Sequence, residues 1–296
     1  MNELPSLPCY LNGEFPALQD AKISVMDRGF ILGDGVYEVV PVYGGHPFRF
    51  DQHMARLDRS LAELRIANPL TQAHWREVIT KLIADYAQST GAKPQNIDQL
   101  IYIQVTRGVA MREHMMLEGL TPTVFVMSNA MKPVPPELRR AGAACVTASD
   151  FRWEKAHIKS TSLLGAVFAR QISVDAGALE TVMFRDGFLS EAAASNVWVV
   201  KDGTVMGAPR DNLVLEGIRY GLIEEICGAA GIAFELRRIP REEVLDADEL
   251  LLSSATKEVL AVTRLDGQSV GAGVPGPIYA RLYAGYQQAK IAASRP

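Results

Sequence analysis

Cysteine is scarce in this chain: Cys9, Cys145 and Cys227 are widely spaced and in no ligand-like pattern, which excludes a disulfide framework and a cysteine-held metal and leaves all three to packing. Long apolar runs are missing too. No stretch approaches the ~18 residues that a membrane span needs, and Met1-Asn2-Glu3-Leu4-Pro5 lacks the basic start and apolar segment of a secretion signal, so the expected compartment is the cytoplasm. Nor is positive charge in excess. A formal net charge of −4 gives no basic footprint for nucleic acid or an anionic membrane, which leaves small molecules as the expected partners. Repeats and low-complexity tracts are absent. What is present is an ordinary globular balance, 48% hydrophobic against 22% charged over 296 residues, enough for one large or two medium domains.

Taken in order, Asn12-Gly13 is a hairpin turn between Tyr10-Leu11 and Glu14-Phe15. The β-branched and aromatic run from Val36 to Tyr43 turns at Gly44-Gly45 and resumes at His46, with Pro41 suited only to an edge or bulge. Asp51 is the expected N-cap of a helix burying Met54, Leu57, Leu61 and Leu64, and Thr71 that of a second helix burying Trp75, Val78, Ile79 and Leu82. Leu100 to Val105 and Thr123 to Met127 read as strands joined by a long polar loop that carries Arg112 and His114. The proline cluster Met131 to Pro136 is the best linker. The expectation is therefore an N-terminal small α/β domain over 1–128, a linker over 129–137 and a C-terminal domain over 138–296, with a cleft between the two domains. In the second half, Asp186-Gly187, Asp202-Gly203 and Asp266-Gly267 are turn signals, Glu216-Gly217 opens a helix, Leu250 to Ser254 is a strand and Pro277 to Ala293 a terminal helix.

One lysine stands out by its setting. Lys159, in His157 to Gly165, follows the strand-like Ala143 to Ala148 and precedes Leu163, Leu164, Val167, Phe168 and Ile172, which recur at helical spacing. A lysine at such a junction projects from a rigid scaffold, and we read it as a Schiff-base lysine. A pyridoxal 5′-phosphate enzyme also needs a carboxylate for the ring nitrogen and an anion site for the phosphate. Glu191 is the candidate carboxylate. The helix start at Gly217 offers backbone N–H groups, Arg56 offers a fork of donors, and Ser253-Ser254-Ala255-Thr256 adds hydroxyls and amides.

Assembled, these residues resemble the fold type IV (branched-chain aminotransferase-like) pyridoxal-phosphate enzymes, and among them most closely the D-amino acid aminotransferases. The likeness runs through Gly33-Asp34-Gly35-Val36-Tyr37-Glu38-Val39, His53 to Leu57, Thr106-Arg107-Gly108, Arg112-Glu113-His114, Ile158-Lys159-Ser160, Glu191 with Ala194 to Val197, Leu215 to Ile218, and Ser253-Ser254 with Glu258-Val259. The resemblance implies an α/β fold whose C-terminal domain is a mixed pseudo-barrel that binds pyridoxal 5′-phosphate, in a homodimer. It further implies that Lys159 forms the internal aldimine and shuttles the proton, Glu191 binds the pyridine nitrogen, and Arg56 holds the phosphate with backbone amides at Gly217, Ile218 and Arg219. Tyr37, with Arg112 and His114 from the neighbouring subunit's loop, would hold the substrate carboxylate. Arg219 and Ala255 depart from the family's threonines, so the anion site is expected to rely on backbone donors, Arg219, Ser254 or Thr256. The implied activity is ping-pong transfer of an amino group from a D-amino acid, with D-alanine and 2-oxoglutarate as the expected pair. Within the same fold the alternatives are a branched-chain L-amino acid aminotransferase and aminodeoxychorismate lyase. Arg112 with His114 speaks against both.

Overall fold

The computed structural model describes residues 6–294, which fall into two compact units. Among the described residues, the first comprises 6–131, Ile158–Leu163 and 293–294, and the second Lys132–His157 and Leu164–Ala292. The break at Met131 lies in the proline cluster.

Within the first unit, the described chain forms β1 (Cys9–Leu11), α1 (Arg28–Leu32), β2 (Gly35–Tyr43), β3 (His46–Pro47), α2 (Phe50–Glu63), α3 (Gln72–Ser89), β4 (Gln99–Thr106) and β5 (Thr123–Ala130). The strands make an antiparallel sheet in the order β1-β5-β4-β2-β3. Alternation in β2 and β4 sends Val36, Val40, Ile101 and Ile103 to one face, where they bury against Leu57 and Leu61 of α2 and Trp75 of α3. Each such side chain contributes roughly 1.5–3 kcal/mol on leaving water. Asn12 and Gly13 both have positive φ, 51° and 100°, the two-residue turn that their pairing predicts. Thr71 caps α3, its hydroxyl accepting from the His74 amide at 3.3 Å. Asp51 does not cap α2: the helix starts at Phe50, two residues earlier than such a cap would place it, behind Arg49 in the left-handed region, and Asp51 lies in its first turn, where its charge still suits the helix dipole. Pro41 lies in β2 just beyond the short β3, and its carbonyl accepts from the Phe48 amide at 2.7 Å.

The segment Ile158–Leu163 joins this unit through long-range pairing. Over β2's first residues it lies on the edge opposite β4: the Tyr37 amide donates to the Lys159 carbonyl and the Thr161 amide to the Gly35 carbonyl, each at 2.9 Å.

The second unit contains α4 (Pro136–Ala141), β6 (Ala143–Ser149), α5 (Leu164–Asp175), β7 (Glu180–Arg185), β8 (Phe188–Ala192), β9 (Asn196–Lys201), β10 (Thr204–Gly207), α6 (Arg219–Ala230), β11 (Phe234–Leu236), α7 (Arg241–Leu245), β12 (Glu249–Ser254), β13 (Glu258–Leu265), β14 (Gln268–Ser269) and α8 (Pro277–Ala293). Its sheet runs β11-β10-β9-β12-β13-β6-β7-β8, with β14 on β13. The sheet is mixed, with β10/β11, β13/β6 and β6/β7 parallel and the remaining pairs antiparallel. The Asp-Gly turns at 186–187, 202–203 and 266–267 all have positive φ at both residues and join β7 to β8, β9 to β10 and β13 to β14. The architecture is α/β throughout, as the sequence leads one to expect. The apolar spacing after Lys159 does form a helix, but Leu164, Val167 and Phe168 of α5 are exposed, at 69%, 60% and 60%. All three cysteines are buried, and burial pushes the Cys145 and Cys227 thiols up to about 12 and about 11, as befits packing residues.

Candidate active site

In the first unit, Lys159 is half-buried on a segment fixed from several sides. Its amide donates to the Ser60 hydroxyl at 3.3 Å, its carbonyl is tied to Tyr37, and Thr161 Oγ1 donates to the Gly33 carbonyl at 3.0 Å. The amine itself is uncommitted: among the described residues Nζ has no hydrogen bond or ion pair and lies 4.0 Å from the centre of the Tyr37 ring. The Tyr37 ring also stacks on Tyr102, with centroids 5.9 Å apart.

Beside Tyr37 in sequence, and therefore on the opposite face of β2, Glu38 is fully buried. It accepts from Arg56 through both oxygens, at 2.9 Å from Nε and 2.6 Å from Nη2, and its Oε1 is 3.0 Å from His53 Nδ1. Burial alone would push this carboxyl up, but Arg56 and His53 outweigh it and hold Glu38 well below the usual carboxylate range. Arg56 is thus clamped on α2 by a partner to which the sequence assigns no role. Arg112 and His114 are exposed on the 107–121 loop, with Arg112 Nη2 3.4 Å from His114 Nε2.

In the second unit, Glu191 sits on β8, 5% exposed. Its Oε1 accepts from Arg152 Nη1 at 2.7 Å and from the Leu215 amide at 3.3 Å, and its Oε2 from Asn196 Nδ2 at 3.2 Å. Burial pushes the carboxyl up; Arg152 and the Leu215 amide pull it back only in part, and the Asp150 charge adds to the rise. Arg152 grips Asp150 from Nε and Nη2, at 2.9 Å each. Sequence reasoning misses both Arg152 and Asp150, although the Asp-x-Arg spacing just before the lysine is an available signal.

Asn196 also donates to the Leu215 carbonyl at 2.9 Å, which brings the segment before α6 to Glu191, and a Cβ on Gly217 would overlap Asn196 Oδ1. Any larger residue there requires Asn196 to move. At the start of α6, Ile218 is the N-cap and makes no side-chain capping bond, so the first amides of a twelve-residue helix are not capped by a side chain. The Arg219 guanidinium is buried against the Tyr286 hydroxyl, 3.0 Å from Nη2, so what this residue presents at the helix start is its amide. Ser254 Oγ accepts from the Lys257 amide at 3.1 Å in the turn between β12 and β13; Ala255 is half-buried and Thr256 exposed.

Taken unit by unit, the first carries an amine without a partner among the described residues and a clamped guanidinium, and the second a buried carboxylate and a helix start without a side-chain cap, the kinds of group that an aldehyde, a pyridine nitrogen and a phosphate require. The residues therefore fit pyridoxal 5′-phosphate.

Comparison with known proteins agrees. Residues 35–265 match the family model for amino-transferase class IV. The chain belongs to that family. As a class IV aminotransferase it is an enzyme that uses pyridoxal 5′-phosphate. It is 35% identical over 267 residues to the D-alanine aminotransferase of Bacillus licheniformis, covering 90% of this chain and 91% of that one. To the D-alanine aminotransferase of Listeria monocytogenes it is 34% identical over 275 residues, 92% of each. In fold it is similar to the branched-chain aminotransferase of the thermophilic archaeon Thermoproteus uzoniensis solved with norvaline, with a TM-score of 0.84, 23% identity, and coverage of 96% of this chain and 94% of that one. At that identity the likeness speaks for the fold alone.

Proposed function

We propose that this aminotransferase moves the amino group of a D-amino acid, D-alanine foremost, to a 2-oxo acid such as 2-oxoglutarate, in ping-pong half-reactions centred on Lys159. The observation that carries the reading is the Lys159 amine, which has no hydrogen bond or ion pair among the described residues and lies 4.0 Å from the centre of the Tyr37 ring. The substrate assignment is supported by the D-alanine aminotransferases at 34–35% identity over nine-tenths of the chain.

When bound, pyridoxal 5′-phosphate supplies an electrophilic carbon that takes up the amino group and a conjugated ring that spreads the electron pair left at Cα. Lys159 Nζ would anchor the cofactor, take the substrate's Cα proton and deliver it to the cofactor carbon that receives the amino group. Glu191 receives the ring N–H, with Arg152 and Asn196 fixing its two oxygens. For the phosphate, the first unit would supply Arg56, and the second the amides at Gly217, Ile218 and Arg219 and the 254–256 turn, to which Ser254, Ala255 and Thr256 belong. Tyr37, Arg112 and His114 bind the substrate carboxylate, for which a planar guanidinium beside imidazole and phenol donors is suited.

The working form we propose is a homodimer in the cytoplasm. The exposed apolar face of α5 and the exposed Met111, Met115 and Met116 flanking Arg112 and His114 are surfaces that a second copy would cover. No described helix is long and apolar enough to cross a membrane.

The test is steady-state transamination. D-alanine with 2-oxoglutarate should release pyruvate, while L-alanine and L-leucine should be turned over at least ~100-fold more slowly. Preference for L-leucine would replace this reading with the branched-chain one.

A further inference from the structure

The loop from Arg107 to Thr121 has no helix or strand, yet it carries two side chains whose placement decides how a carboxylate is met. One buried group sits beneath it. Arg28, 2% exposed in α1, donates from Nη1 to the Glu113 carbonyl at 2.6 Å and from Nη2 to the Met115 carbonyl at 2.9 Å, so a single guanidinium holds the backbone on either side of His114. Its Nε donates to Asp34 Oδ2 at 2.7 Å. Asp34 in turn accepts from Arg107, through Oδ2 from Nε at 2.7 Å and through Oδ1 from Nη2 at 3.0 Å, and Arg107 Nη2 reaches the Leu64 carbonyl at the end of α2 at 2.7 Å. The ends of the loop are pinned as well. The Arg28 amide donates to the Gly108 carbonyl at 2.9 Å, and Gly108, at φ 101°, allows an approach to the Thr121 carbonyl that a Cβ would block.

Burying two guanidinium groups around one carboxylate is costly, and apolar side chains of similar volume would fill the space at least as stably. What apolar groups cannot do is fix peptide planes by directed donors. We infer that the Arg28–Asp34–Arg107 node is a positioning device that orients Arg112 and His114 for the substrate carboxylate, making Arg28 a determinant of substrate affinity although it is buried beneath the loop. The inference rests on the reading of Arg112 and His114 given above.

The test compares Arg28→Lys, Asp34→Asn and Arg112→Ala in the holoenzyme by kinetics with D-alanine and by amide hydrogen exchange over residues 109–117. Arg28→Lys keeps a positive charge beside Asp34 but loses the two-pronged hold on the loop. It should raise KM for D-alanine about tenfold with kcat changed less than about threefold, and speed exchange in the loop at least about tenfold without changing it in β4. Asp34→Asn should act in the same direction, which keeps the test decisive if one variant folds poorly. A fall in kcat with KM unchanged, or loop exchange like wild type, would overturn the inference. Arg112→Ala separates the two levels. If it raises KM while Arg28→Lys does not, the inference fails alone; if it leaves KM unchanged, the carboxylate reading fails and the inference with it.

Discussion

Arg152 Nη1 lies 2.7 Å from Glu191 Oε1 while the other edge of the same guanidinium is spent on Asp150, so the acidity of the proposed ring-nitrogen partner is set by a cation that is itself shared. Burial drives the Glu191 carboxyl up and Arg152 is the main force opposing it. Replacing Arg152 with methionine should therefore raise the Glu191 pKa further. The carboxylate is the working form, so activity is lost as pH falls through that pKa, and the acid limb of kcat against pH should move to higher pH by about one unit or more. An acid limb unmoved in Arg152→Met would separate Glu191 from the pH profile.

Glu38 makes a prediction about stability. Its folded pKa is depressed, so its contribution is fully present above the unfolded value of about 4.3 and is lost as pH falls through the folded one. Glu38→Gln leaves Arg56 buried without its carboxylate and should destabilise the protein at pH 7 by about 3–5 kcal/mol. Denaturant unfolding at pH 7 and pH 4 checks this, the mutant losing less stability than wild type between the two.

At Gly217 the expectation is steric. A methyl group there would collide with Asn196 Oδ1 and displace the side chain that donates both to Glu191 and to the Leu215 carbonyl. Gly217→Ala should weaken pyridoxal phosphate binding at least about tenfold and cost about 1–3 kcal/mol of stability. Fluorescence titration of the apoprotein with cofactor gives the first quantity and thermal unfolding the second.

The sequence makes local chemistry legible and long-range chemistry mostly not. Turns at Asn12-Gly13, Asp186-Gly187, Asp202-Gly203 and Asp266-Gly267 follow from the ease with which those pairs take positive φ, a property of two residues. The start of α2 is misplaced from sequence because Arg49 in the left-handed region leaves no side-chain signal of the kind that Thr71 leaves for α3. The pairing of Ile158–Leu163 with Gly35 to Tyr37 is set by packing across the chain, and no nearby residue announces it. The same holds for Arg28 and Arg152, which look like surface charges until the fold buries them against their partners, and Asp34 and Arg107 stand in family motifs to which no role is attached. Lys159, Glu191 and Arg56 are found because their motifs repeat a family pattern, whereas Glu38, which clamps Arg56, stands in one of those motifs without a role.

The most direct test of the central claim is a single half-reaction followed by absorbance: purified holoenzyme mixed with D-alanine or L-alanine in the absence of acceptor, for wild type and Lys159→Ala. The wild-type cofactor band should bleach with D-alanine only and return on adding 2-oxoglutarate, with the mutant slower by about 1,000-fold or more. Wild-type-like bleaching in Lys159→Ala, or bleaching by L-alanine and not by the D-enantiomer, would contradict the central role of this lysine and the preference for D-substrates.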